Sequence, residues 1–67
     1  MQVAIALEPD SAGAARILAE WRTVWAASAS PGGIELAPAT ALTALLDLKA
    51  RCYDQGITVN ATFPDNQ

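Results

Sequence analysis

The chain has 67 residues, one cysteine and no histidine, which rules out an internal disulfide and a cysteine–histidine zinc site. Four cations against seven acids give a net charge of −3, too few positive groups to track a phosphate backbone, so nucleic acid is set aside as a partner. A single domain of this size, spanning 1–67, buries only ~60% of the surface exposed by its unfolded chain, which leaves association with a second chain as the remaining source of stability.

Val3, Ile5 and Leu7 alternate with Gln2, Ala4, Ala6 and Glu8, the period of a strand with one apolar face. Pro9 ends it, and Asp10 or Ser11 can cap a helix by accepting from the free amides of its first turn. Ala14, Ile17, Leu18, Trp21, Val24, Trp25 and Ser28 recur at intervals of three and four, predicting a helix from about 11 to 29 with Arg16, Glu20 and Thr23 on its wet side. Ser30-Pro31-Gly32-Gly33 stops that helix. Ile34, Glu35 and Leu36 predict a short second strand, and Pro38 suits the first turn of a second helix, where its missing N–H costs nothing.

The second helix has an apolar arc of Leu42, Leu45, Leu46, Leu48, Cys52 and Tyr53, with Thr43, Asp47, Arg51 and Asp54 opposite. Gly56 supplies a left-handed stop. Ile57, Val59, Ala61 and Phe63 then alternate with Thr58, Asn60 and Thr62, giving a third strand with a polar outer face, and Pro64-Asp65-Asn66-Gln67 reads as a frayed tail. The expected fold is α/β: a two-layer β-α-β-α-β sandwich in which two helices cover one face of a three-stranded sheet. With no apolar run near the ~20 residues of a membrane span and no charged leader at Met1-Gln2-Val3, the expectation is a cytoplasmic setting without membrane insertion. Asn60-Ala61-Thr62 matches a glycosylation sequon, read as a chance match for the same reason.

From Gly33 onward, the strand Ile34-Glu35-Leu36, the corner Pro38-Ala39-Thr40-Ala41, the helix Leu42 to Gln55 and then Gly56 with Ile57-Thr58-Val59 resemble the central half of a STAS domain, the module of anti-sigma-factor antagonists. The preceding helix extends the likeness over about 55 residues. The resemblance implies a minimal STAS member that regulates a protein partner such as an anti-sigma kinase or a transporter ATPase subunit, with no cofactor. In that comparison Pro38 stands where the family has aspartate and Ala39 where it has the phosphate-accepting serine, while Thr40 matches the neighbouring hydroxyl.

Thr40 therefore has two readings: an N-cap, or a phosphoacceptor whose added charge a helix N-terminus would stabilise. Cys52 lies on the apolar arc without a histidine to activate it and reads as a small buried hydrophobe, which leaves an enzymatic role through this thiol as the weakest hypothesis. Asp47 and Asp54 read as a solvated face. Lys49 falls within the apolar arc, either snorkelling to water or marking the rim of a contact where the arc is wider than the sheet requires. Trp21 and Trp25 pack on the sheet or anchor an interface. The leading function is a non-enzymatic protein-interaction module using Thr40, Thr43, Asp47, Lys49 and Arg51, and the alternative is a small subunit stable only as an obligate homo-oligomer or within a larger complex.

Overall fold

A computed structural model describes residues 1–30 and 33–64. Six elements follow one another: β1 (Gln2–Glu8), α1 (Ala12–Trp25), β2 (Ser28–Ser30), β3 (Gly33–Glu35), α2 (Ala41–Tyr53) and β4 (Thr58–Thr62). The class is α/β, but the sheet has four strands rather than three, in the order β2-β3-β1-β4 with every neighbouring pair antiparallel. Because β3 lies between β1 and β2, and β1 between β3 and β4, each β-α-β segment joins two parallel strands with a third inserted between them. This split arrangement is the ferredoxin-like topology, a description of chain path that carries no function by itself.

The additional strand comes from the end of the predicted first helix. Ser11 caps α1 as expected, its hydroxyl accepting from the Ala14 amide at 3.2 Å. The helix stops at Trp25, because Ala26 turns left-handed at φ 53° and the Ala27 amide closes back on the Arg22 carbonyl at 2.9 Å. Ala-Ala-Ser-Ala-Ser has helical propensity, yet pairing of Ser28 with Glu35 and of Ala29 with Ile34 draws it into the sheet. Ser28 thus leaves the helical stripe for β2, and Val24, assigned to the same stripe, is exposed. The predicted Pro31-Gly32 turn and the tail at Asp65-Asn66-Gln67 lie outside the described residues.

Sheet register gathers the apolar side chains on one face. Val3 opposes Ile34, Ile5 opposes Ala61 and Leu7 opposes Val59. These residues join the buried ones of both helices in a single cluster, so both helices cover the same side, while Glu35, Glu8, Thr58, Asn60 and Thr62 line the other. Gly33, at φ 139°, lets β3 approach the middle of the sheet, since a Cβ there would stand 2.5 Å from the Val3 carbonyl oxygen.

The second helix also starts later than predicted. Pro38 and Ala39 form a turn in which the Thr40 amide bonds the Ala37 carbonyl, and α2 begins at Ala41. At its far end Gly56 is left-handed as expected, with the Gly56 amide on the Tyr53 carbonyl and the Ile57 amide on the Cys52 carbonyl, a Schellman closure that aims the chain into β4.

Two substitutions at positive φ should act in opposite directions. Ala26→Gly relieves a left-handed alanine and should raise stability by about 0.5–1 kcal/mol, whereas Gly33→Ala should lower it by more than about 1 kcal/mol. Chemical denaturation followed by circular dichroism reads both, and equal effects would contradict these backbone assignments.

Candidate protein-interaction surface

Three sides of α2 do different work. Ala41, Ala44, Leu45, Leu48 and Cys52 form its buried side. Leu42, Leu46 and Tyr53, which share the apolar arc in the sequence, are 72%, 58% and 82% exposed, so the arc is wider than the sheet covers. The reason is steric: Trp21 is fully buried against this helix and donates its indole N–H to the Ala44 carbonyl at 2.6 Å, an approach that small side chains at 41 and 44 permit and leucines would block. The leucines at 42 and 46 are rotated outward as a consequence.

Leu42, Leu46, Lys49 and Tyr53 follow at spacings of four, three and four, which sets them along one flank. Lys49 is exposed on this flank between leucine and tyrosine. The flank borders β4, and between them runs a groove of about 390 Å³ lined by Leu42, Leu46, Lys49, Val59, Ala61 and Phe63, among others. Singly exposed apolar residues are ordinary, whereas Leu42 and Leu46 stand together at this groove, with Tyr53 two turns further along the same flank.

The opposite flank is a polar lock. The Trp25 indole N–H donates to Asp47 Oδ2 at 2.8 Å, and Arg51 Nε donates to the same oxygen at 2.9 Å. Asp47 and Arg51, expected on a solvated face, are half-buried; Asp47 ties α2 to α1 through Trp25, and Arg51 holds Asp47 from within α2. The bond from Trp25, then the bond from Arg51, hold the Asp47 carboxyl below the usual carboxylate range against the opposing effect of burial, with the Arg51 charge adding least. An indole that is half-buried needs an acceptor, and an acid–arginine pair four apart on the next helix is the sequence signal for it.

The remaining sequence candidates separate. Thr40 and Thr43 are exposed, and the Thr40 hydroxyl donates to the Ala37 carbonyl at 3.2 Å instead of capping the helix. Cys52 is fully buried, and burial pushes its thiol up, away from the reactive thiolate. Asp54 is exposed and does not join Asp47. Among the described residues no group of three His, Cys, Asp or Glu side chains is placed to hold a metal, and no helix is long and apolar enough to cross a membrane. Of the five partner-binding candidates, Thr40, Thr43 and Lys49 are therefore at the surface while Asp47 and Arg51 are engaged within the fold.

Comparison with protein-family models, curated proteins and solved structures finds no match for this chain.

The Asp47 lock has a defined pH signature. The native pKa lies below that of the unfolded chain, near 4, so its stabilisation is complete above about pH 4 and is lost as the pH falls further. Asp47→Asn should cost about 1 kcal/mol at neutral pH and should remove part of the acid-induced loss of stability. Denaturant titrations at neutral and acid pH check this, and parallel losses in both proteins would show that the lock contributes nothing.

Proposed function

We propose that the chain is a protein-interaction domain that binds another protein through the exposed flank of α2 and the adjoining β4. The supporting observation is the line of Leu42, Leu46 and Tyr53, each more than half exposed, of which Leu42 and Leu46 wall an apolar groove. Leucine and tyrosine supply contact area, and Lys49 adds a charge to that line. Thr40 and Thr43, exposed at the start of the same helix, lie within reach of a partner seated there, whereas Asp47 and Arg51 act by fixing α2 in place. The resemblance to STAS domains adds the expectation of a regulatory partner such as an anti-sigma kinase or a transporter ATPase subunit; it rests on the residue spacing from Gly33 to Val59. A second reading, a subunit that associates with its own copy, is favoured by the uncharged edge of β4.

A photo-crosslinking residue at Leu46, compared with one at Glu8 on the open sheet face, tests the location. Adducts are expected from position 46 and not from position 8 in living cells. Equal adducts at both positions, or none at 46, would reject the α2 flank as the contact.

A further inference from the structure

β4 stands at the margin of the sheet, and no other described strand pairs with its far side. It is five residues long, against three in β2 at the other margin. Edges of this kind are normally guarded by lysine, proline, a bulge or an inward charge, because their unpaired N–H and C=O groups template another strand. Thr58-Val59-Asn60-Ala61-Thr62 contains none of those residues and none of the chain's seven acids.

The same five residues are chemically symmetric about Asn60. In an antiparallel pairing of two copies centred there, Thr58 faces Thr62, Val59 faces Ala61 and Asn60 faces Asn60. That register keeps half-buried Val59 and Ala61 on the helix side and exposed Thr58, Asn60 and Thr62 on the polar side. A one-residue slip would mix the two faces. Threonine pairs are favourable across strands, and the Asn60 amide lies on the same polar face, donating to Glu8 Oε1 at 3.4 Å. A two-fold axis through this register is also the commonest symmetry by which one surface serves both partners.

We propose that the chain forms a two-fold homodimer by pairing β4 with β4 in register at Asn60, with the Leu42 and Leu46 flanks of the two α2 helices closing over the junction. The two sheets become one of eight strands, and each groove beside β4 receives the apolar flank of the other copy. A stable interface covers ~800 Å² per partner, on the order of a fifth of the 4267 Å² that the single chain exposes. The proposal rests on the reading of that flank as a contact surface and names its occupant as a second copy.

The register gives a direct test, because native Cys52 is fully buried and away from the exposed positions compared. Asn60→Cys should form a disulfide-linked dimer under mild oxidation. Thr58→Cys should not link to itself, yet should link to Thr62→Cys when the two proteins are mixed. Sedimentation from about 1 to 100 µM should show a dimer for the unaltered chain, and Asn60→Lys, exposed and facing its own copy, should weaken it more than about tenfold. Circular dichroism of Asn60→Lys monitors folding. A monomer at all concentrations, or self-linking of Thr58→Cys as efficient as that of Asn60→Cys, overturns the proposal. A monomer that still yields adducts with a different protein at Leu46 would reject the dimer and leave the α2 contact standing.

Discussion

Trp21 lies wholly out of water between the two helices, and its indole N–H reaches a backbone carbonyl of the neighbouring helix. Much of the rest depends on that contact. A buried tryptophan removes a large apolar area from water but requires an acceptor for its polar edge. Here the acceptor is the Ala44 carbonyl, reached only if the helix carrying it comes close. Alanine at 41 and 44 permits the approach, and the rotation that turns those alanines inward sets which residues of α2 remain outside.

One turn later on α1, Trp25 repeats the arrangement with Asp47, whose position is fixed in turn by Arg51. The two indoles grip the same helix at residues three apart, one through a main-chain oxygen and the other through a charged side chain. The largest fully buried side chains besides Trp21 are Leu48, Val3 and Cys52. In so thin a core, orientation of the helices rests on a few specific bonds more than on the volume of packed hydrocarbon. The exposed ridge follows from the same geometry, since a helix pinned along its α1 side keeps Leu42 and Leu46 outward beside β4.

Much of this was legible in the residue pattern, and the departures share a cause. Alternation in β1 and β4, the Ser11 cap, the Gly56 stop and the one-sided apolar sheet follow from local periodicity and turn chemistry, and each has its expected counterpart in the fold. β2 was hidden because Ala26 to Ser30 has helical composition, and pairing with a strand not yet formed decides its state. Which part of the α2 arc is buried is not read from hydrophobicity, which ranks leucine above alanine, whereas contact with a neighbouring indole ranks them by size. Asp47 and Arg51 read as a solvated pair because their partner Trp25 lies on another helix, 22 residues before Asp47. The order β2-β3-β1-β4 has no local signal at all; it is a property of the assembled sheet.

The most direct measurement of this account is hydrogen exchange at the Trp21 indole N–H, followed by NMR with the Trp25 indole as an internal comparison. If Trp21 orders the two helices, its indole proton exchanges only through global unfolding, with an exchange free energy equal to that from denaturation, while the half-buried Trp25 proton exchanges faster. Exchange of the Trp21 proton through local fluctuation, at a rate comparable to that of Trp25, would contradict the account.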